Sequence, residues 1–262
     1  MLLPVEGQHL RVVDLGRGTP LLMHDGWVAS WDLWLPLIER LQHDFRCVAY
    51  DHRGAGASTF AASSISSPAL VDDVFRVLDA AGIDRCIVAG ESLGCLVVEQ
   101  AVLRDPSRFL GLVLVGGPVT SAPSPEGDAA LQARNDAVHR DWPAYVDRFV
   151  SACLPEPDAA PLHRWGVQTL LPAGPDAGAA MFSAFSDVVV PLEDIGVPTL
   201  VVHGELDAIV PTSMGRAAAS RIPGAELVVL DDAGHVPILT RPQQVADAIT
   251  AWWSRVGPAL DG

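Results

Sequence analysis

The sequence contains no lysine, and this absence removes several classes of enzyme. All 17 of its basic residues are arginine, against 32 acidic residues, so the net charge is −15. Without a lysine amine the chain cannot form a Schiff base with a carbonyl substrate or with pyridoxal phosphate. An acidic chain without a basic run also lacks the charge pattern of proteins that bind DNA or RNA. We therefore expect a small-molecule substrate and no nucleic-acid partner.

Long apolar runs and paired cysteines are missing as well. No apolar stretch approaches the ~18 to 20 residues that cross a bilayer, and the opening "MLLPVEG" lacks the basic start of a signal peptide. The four cysteines have no CxxC spacing and lie mostly in apolar segments, which favours buried free thiols. We expect a cytoplasmic protein without a membrane partner, and the oligomeric state is left open.

Patterns typical of metal and phosphate sites are also absent. The histidines form no zinc motif such as H-E-x-x-H, and the glycine-rich "RGAGAS" lacks the lysine of a phosphate loop. A tight turn explains those glycines better. We expect neither a metal nor a cofactor.

The sequence does contain apolar runs that alternate with amphipathic stretches. In one such stretch Leu70, Val74 and Leu78 recur at helical spacing, and Gly82 would end the helix. This alternation indicates an α/β fold with a mostly parallel, doubly wound sheet covered by helices on both faces. The runs are "LRVVDL" (10–15), "PLLMHDG" (20–26), "FRCVAYD" (45–51), "RCIVAG" (85–90), "FLGLVLVGG" (109–117), "PTLVVHG" (198–204) and "AELVVLDDAGH" (225–235).

One segment interrupts this alternation. Residues 118–190 contain no clear strand, and prolines divide them into short helical pieces. We predict a helical lid at 118–190, inserted into a core made of residues 1–117 and 191–262. The lid carries many of the few aromatic residues, which either contact substrate or pack the lid onto the core. The candidate substrate contacts are Trp27 of the core and Trp142, Tyr145, Phe149 and Phe182 of the lid.

A serine stands between two glycines in "VAGESLGCL", residues 88–96, after an apolar run and before a helical pattern. Ser92 would then occupy the turn between a strand and a helix, where Gly90 and Gly94 leave room for a strained backbone. Such a G-x-S-x-G turn holds the serine hydroxyl clear of the sheet, at a helix N-terminus whose amides face developing negative charge. We predict Ser92 to be a nucleophile, and an ordinary strand-to-helix loop is the alternative.

A serine nucleophile needs a base to remove its proton and an acid to orient that base. His235, in "LDDAGHVPIL", lies after a late apolar run and is the candidate base. Asp207, in "LVVHGELDAIVP", follows the preceding run and is the candidate acid, with Glu205 as its rival. The strand before the lid ends in "VLVGGPVT" without an acid, and the order Ser92, Asp207, His235 is the expected one. We therefore predict a triad of these three residues.

An oxyanion on the substrate would need backbone donors. One is expected from the N–H of Leu93, the residue after the nucleophile, and the other from the loop after an early strand. The stretch "LLMHDGWVASW" is that loop. We predict Gly26 as the second donor, with Trp27 as the second choice.

Taken together, these motifs resemble those of the α/β-hydrolase superfamily from one end of the chain to the other. The resemblance implies the α/β-hydrolase fold with a helical lid and a Ser-His-Asp triad. It is specific for fold and triad and much less so for substrate. The blocks that carry it are "HDGW" (24–27), "DHRGAGAS" (51–58), "GESLG" (90–94), "HGELDAIVP" (203–211) and "GHVPILTRPQQV" (234–245).

Two acidic residues depart from the family pattern. The early loop usually reads His-Gly, whereas here Asp25 follows His24. A carboxylate there would oppose an oxyanion, so we expect Asp25 to point away from it. Glu91 occupies the variable position of the elbow, where it either faces solvent or adds to the charge around the triad.

The resemblance and the motifs predict a serine hydrolase that cleaves a small to medium, largely apolar ester, lactone or thioester through an acyl-enzyme. The same triad also serves relatives that hydrolyse carbon–carbon bonds, open enol-lactones, transfer acyl groups or make peracids without a cofactor. A different class is a ligand-binding or signalling module with negligible turnover. The sequence leaves these alternatives open.

Overall fold

The apolar runs of the sequence form the strands of one sheet in the computed structural model, which describes residues 1–58, 60–120 and 122–257. Residues 258–262 of the predicted core range therefore lie outside the described residues. The strands are β1 (Leu2–Val5), β2 (Gln8–Gly16), β3 (Thr19–His24), β4 (Phe45–Tyr50), β5 (Cys86–Glu91), β6 (Phe109–Val115), β7 (Thr199–Gly204) and β8 (Glu226–Leu230).

The sheet has the order β1-β2-β4-β3-β5-β6-β7-β8. Strands β3 to β8 run parallel, and the antiparallel β1 and β2 form one edge. The predicted mostly parallel sheet is confirmed. Because β3 lies between β4 and β5, the order in which the strands are added to the sheet changes direction at β3. Ligands of such sheets bind at the carboxyl ends of the strands near this point. There His24 pairs with Gly90, so the "HDGW" loop and the elbow leave the sheet side by side.

Amphipathic helices cover both faces of the sheet. In α2 the Ser66 side chain accepts a hydrogen bond from the N–H of Ala69, and Leu70 and Val74 are buried. Gly82 has a φ of 64° just after the helix, as its position predicts. The helices are α1 (Leu35–Leu41), α2 (Ser67–Ala80), α3 (Gly94–Arg104), α4 (Pro125–Arg140), α5 (Trp142–Cys153), α6 (Ala160–Leu170), α7 (Gly174–Ser183), α8 (Thr212–Arg221), α9 (Pro237–Thr240) and α10 (Pro242–Val256).

Four of these helices, α4 to α7, lie between β6 and β7 in the chain. The described part of residues 118–190 contains no strand. Side chains cap the first two helices of this segment: Ser124 accepts from the N–H of Gly127, and Asp141 from the N–H of Ala144. We call residues 118–190 the lid, and the placing of its two boundaries stays a prediction.

The state of the cysteines and the hydropathy of the helices can be compared with the sequence analysis. All four cysteines are free and buried. No helix in the described ranges is both long and apolar enough to cross a bilayer.

A buried ion pair joins the loop after β4 to α2. Arg53 and Asp73 have 1% and 0% of their side chains exposed, and Arg53 Nε donates to Asp73 Oδ2 at 2.6 Å. The second guanidinium donor, Nη2, reaches Oδ1 at 3.1 Å, so the pairing is bidentate. Arg53 also pairs with the exposed Glu6 at 3.1 Å, so removing Asp73 takes away its buried partner and leaves only one at the surface. Losing the buried partner of a buried charge costs more than the pair itself contributes.

We predict that Asp73→Ala lowers the free energy of unfolding by about 3 kcal/mol. Asp72→Ala is the matched control, because Asp72 pairs with Arg104 at the surface, and such pairs contribute at most about 1 kcal/mol. Urea unfolding of both variants and the native protein measures the difference. Equal losses in the two variants would contradict this account of the Arg53 pair.

Candidate active site

Ser92 lies on a sharp turn between β5 and α3. Its φ is 51°, a value that L-residues seldom adopt, and its N–H donates to the carbonyl oxygen of Val115 at 2.9 Å. A Cβ at Gly90 would lie 2.7 Å from the Gly94 carbonyl oxygen, and a Cβ at Gly94 would lie 2.5 Å from the His24 carbonyl oxygen. Only glycine fits at these two positions, as the G-x-S-x-G motif requires.

The three residues of the predicted triad are in hydrogen-bond contact. His235, in the loop between β8 and α9, has Nε2 at 2.9 Å from Ser92 Oγ and Nδ1 at 2.8 Å from Asp207 Oδ2. Asp207 follows β7, and its Oδ1 accepts from the N–H groups of Ile209 and Val210, both at 2.8 Å. With Nδ1–H donating to Asp207, the neutral imidazole presents Nε2 as an acceptor for the Ser92 hydroxyl.

Glu205, the rival acid, lies elsewhere. Its carboxylate pairs with Arg216 at 3.3 Å, and both side chains are exposed. The geometry therefore favours Asp207 as the partner of His235.

The charges of the triad follow from these contacts. Burial alone would raise the pKa of Asp207, but hydrogen bonds from His203 and His235 and from the Val210 amide outweigh it and hold that pKa well below its usual range. Burial alone would lower the pKa of His235, but the Asp207 and Glu91 carboxyls raise it above its usual value of 6.5. Asp207 is thus ionised at neutral pH and stabilises an imidazolium.

The predicted oxyanion donors differ in what they already bind. The N–H of Gly26 donates to Glu91 Oε2 at 3.2 Å. The N–H groups of Leu93 and Trp27 donate to no acceptor in the part of the chain that the structure describes. The N–H of Trp27, the second choice for the oxyanion donor, is therefore free to bind an oxyanion. The N–H of Gly26, the first choice, already binds Glu91, whose orientation the sequence did not predict.

Glu91 lies in the wall of the site, and its side chain is 3% exposed. While Oε2 binds the Gly26 amide, Oε1 lies 3.8 Å from His235 Nε2 and has no hydrogen-bond partner among the described residues. Burial raises the pKa of Glu91 to about 7, with the charge of His235 lowering it and that of Asp207 raising it. Of the two orientations that the sequence allowed, Glu91 takes the one beside the triad.

Asp25 is also buried, with 1% of the residue exposed. The indole N–H of Trp34 lies near its carboxyl without reaching hydrogen-bonding geometry, and neither oxygen has a partner in the described ranges. Burial, followed by the charges of Glu91 and Asp51, raises the pKa of Asp25 well above its usual range. Burial thus favours the protonated, neutral form of this carboxyl.

A pocket opens onto Ser92 between the core and the lid. Its walls are almost wholly apolar and include Leu33 of the core, Val150 of α5 and Trp165 of α6. Of the five aromatic side chains predicted to contact substrate, Trp27 and Phe149 line this pocket. Trp165 also lines it and was missed, because helical periodicity alone does not tell which face of a lid helix turns inward.

The other three predicted aromatics lie elsewhere. Trp142, Tyr145 and Phe182 pack against Trp27 with ring-centroid distances of 5.4, 5.6 and 5.0 Å, and none of them lines the pocket. The indole N–H of Trp27 donates to the Gly178 carbonyl at 2.9 Å. These rings pack around Trp27, as the packing alternative expects, and their contact with substrate stays a prediction.

The lid also contacts the loop that carries His235. The His235 N–H donates to the Cys153 carbonyl at 3.1 Å, and the Gly234 N–H donates to Glu156 Oε1 at 2.6 Å. The hydroxyl of Thr240 donates to the same oxygen at 2.7 Å. No motif in the sequence pointed to Glu156, which stands in an irregular proline-containing link between α5 and α6.

No cluster of histidine, cysteine and acidic side chains in the described ranges is arranged to hold a metal ion. Ser92, Glu91 and His235 contribute polar side chains to the pocket lining, and Asp207 lies behind His235.

Several known proteins resemble this chain. A putative carbamate hydrolase, RutD, from Azorhizobium caulinodans is 31% identical, over 84% of this chain and 85% of its own length. A pimeloyl-[acyl-carrier protein] methyl ester esterase from Nitrosomonas europaea is 28% identical, over 92% of this chain and 98% of its own.

Solved structures and a family pattern agree with these relatives. A thermophilic esterase from Thermogutta terrifontis superposes with a TM-score of 0.86 at 27% identity, covering 97% of each chain. An esterase from Exiguobacterium antarcticum gives 0.88 at 22% identity, covering 96% of this chain and 97% of its own. The sequence pattern of the family described as alpha/beta hydrolase fold matches residues 19–164 and 162–242. The chain therefore belongs to the α/β-hydrolase family and is an enzyme of the hydrolase class.

Proposed function

We propose that this enzyme is a serine hydrolase that cleaves a small to medium, largely apolar ester, lactone or thioester through an acyl-enzyme. The observation that carries the proposal is the continuous hydrogen-bonded path from Ser92 Oγ through His235 to Asp207 at the floor of an apolar pocket. The similarity to named esterases supports ester cleavage. We include in the proposal a cytoplasmic location and a lid formed by residues 118–190.

The proposed reaction begins when Ser92 Oγ attacks the carbonyl carbon and its proton passes to His235 Nε2. Asp207 holds the imidazole by Nδ1 and stabilises the imidazolium that forms. His235 then gives the proton to the leaving group, and the acyl group stays on Ser92. In the second half, water loses a proton to Nε2, attacks the acyl carbon and releases the acid.

Two backbone N–H groups stabilise the oxyanion in this proposal. Leu93 at the start of α3 supplies one, as expected of the residue after a nucleophile. Trp27 supplies the other rather than Gly26, because the Gly26 N–H already donates to Glu91. The ring packing around Trp27 supports this assignment, since an oxyanion donor has to stay fixed during the reaction.

A neutral Asp25 would not repel the negative charge that forms at this oxyanion site. An ionised carboxylate next to Gly26 would oppose the negative charge of the intermediate. Burial raises the pKa of Asp25 well above its usual range and so favours the uncharged carboxyl.

The apolar walls support an apolar acyl or alkyl group as the part of the substrate that the pocket holds. Polar groups in the lining are few, and Ser92, Glu91 and His235 cluster at the floor. A ligand would thus bury its apolar part under α5 and α6 and present its carbonyl to Ser92.

We predict that a fluorophosphonate probe forms one covalent adduct with the native protein and none with Ser92→Ala. The same substitution lowers kcat for p-nitrophenyl butyrate by roughly 10⁴-fold or more, because the triad acts as a unit. Intact-mass spectrometry and a steady-state assay measure the two effects. A folded native protein that forms no adduct and turns over no ester would favour a ligand-binding module instead.

We predict that Asp25→Asn stabilises the protein and that the gain grows as the pH rises. Unfolded Asp25 ionises near its usual pKa of 3.8, whereas the folded protein keeps its proton to a higher pH. Between these two pKa values the folded state binds the extra proton, so native stability falls by about 1.4 kcal/mol per pH unit. Asparagine does not titrate and avoids this loss.

Urea unfolding of the native protein and of Asp25→Asn at pH 5 and pH 8 tests this sign. The stability difference between the two proteins is expected to be larger at pH 8. A difference that is the same at both pH values would show that Asp25 is ionised in the folded protein.

A further inference from the structure

The free oxygen of Glu91 is a polar group at the reacting centre that the triad mechanism does not use. Glu91 Oε2 is occupied by the Gly26 N–H at 3.2 Å. Its Oε1 is buried and has no partner in the described ranges, and it lies 3.8 Å from His235 Nε2. The carboxyl lines the same pocket as Ser92.

This placement puts two hydrogen-bonding atoms within reach of one substrate atom. Hydrogen bonds between nitrogen and oxygen span about 2.7 to 3.2 Å, and two atoms 3.8 Å apart can both lie at such a distance from a third. His235 Nε2 is the atom that hands its proton to the leaving group. An atom that receives this proton can therefore lie within hydrogen-bond reach of Glu91 Oε1 at the same time.

The leaving groups of esters and of secondary amides interact differently with Glu91 Oε1. The leaving oxygen of an ester carries no hydrogen and offers only lone pairs, which the lone pairs of a carboxyl oxygen repel. The leaving nitrogen of a secondary amide carries one hydrogen, and that N–H needs an acceptor while the nitrogen turns its lone pair toward the imidazolium. Because Oε1 is buried without a partner among the described residues, a hydrogen bond from this N–H satisfies a polar atom that the free enzyme leaves unpaired.

We propose that Glu91 is a further catalytic residue, which accepts the N–H of a nitrogen leaving group and extends this enzyme from esters to secondary amides. The proposal rests on the proposed function, because it uses the same Ser92 and His235. Ser92 Oγ forms a bond to the acyl carbon and the carbon–nitrogen bond breaks. The nitrogen receives the proton held by His235 Nε2 and leaves as a primary amine, while its original hydrogen stays bonded to it and points at Oε1.

The alternative is that Glu91 only supports the Gly26 loop, and Glu91→Gln separates the two roles. A glutamine has the same shape and one acceptor oxygen. That oxygen is needed by the Gly26 N–H, since the opposite orientation would set two donors face to face. The glutamine NH2 group then faces the leaving atom, so the loop keeps its support and the substrate N–H loses its acceptor.

The experiment compares two substrates with the same acyl group, p-nitrophenyl butyrate and butyryl p-nitroanilide. In Glu91→Gln, the ratio of kcat/KM for the anilide to kcat/KM for the ester is expected to fall by roughly tenfold or more. The ratio of the two rates cancels any change in His235 that affects both substrates alike. Glu99→Gln is the matched control, because Glu99 is a buried glutamate of α3 outside the pocket lining, and its ratio is expected to stay native.

Three results would overturn the proposal. Equal losses for ester and anilide in Glu91→Gln would show that Glu91 has only a supporting role. A native enzyme that turns over the ester but no anilide would leave the ester hydrolase standing and remove the amide activity. Failure on both substrates, with no fluorophosphonate adduct, would remove the proposed function and this inference with it.

Discussion

The strained turn at Ser92 is the constraint around which the site is built. A non-glycine residue at φ 51° costs on the order of 1 to 3 kcal/mol, and the surrounding backbone has to hold it there. The Ser92 N–H bond to Val115 fixes one side of the turn. On the other side Gly94 touches the backbone of residues 24 and 25 so closely that a Cβ would meet carbonyl oxygens at 2.5 Å. The nucleophile and the loop of the oxyanion site are thus packed backbone against backbone.

This close packing also decides the charges of the site. Asp25 and Glu91 flank the turn on the two touching segments and are excluded from water, so burial raises the pKa of each. No arginine lines the described pocket that could pair with them. Asp207 escapes the same effect because His203, His235 and backbone amides donate to it. Burial therefore favours the neutral form of two acids at this site, while hydrogen bonds keep the third, Asp207, ionised.

Much of this site could be predicted from the sequence, for a reason that lies in the sheet. Ser92, Asp207 and His235 each follow an apolar run, and the carboxyl ends of parallel strands meet at one edge. The side chain of Glu91 could not be placed, because its direction depends on the N–H of Gly26, which is 65 residues away in the chain. The position of Trp142 could not be predicted either, because helical periodicity does not show that this ring packs against Trp27.

The lid contacts the proposed catalytic base, His235, as well as the pocket. Helix α5 supplies Val150 to the pocket wall, and its last residue, Cys153, accepts the hydrogen bond of the His235 N–H. Three residues later, Glu156 accepts from the N–H of Gly234. A Cβ at Gly234 would lie 2.3 Å from Pro155, so the two segments touch without intervening space. Since the same helix end shapes the pocket and supports the His235 loop, a change in the lid that moves α5 also moves the imidazole that is hydrogen-bonded to Ser92.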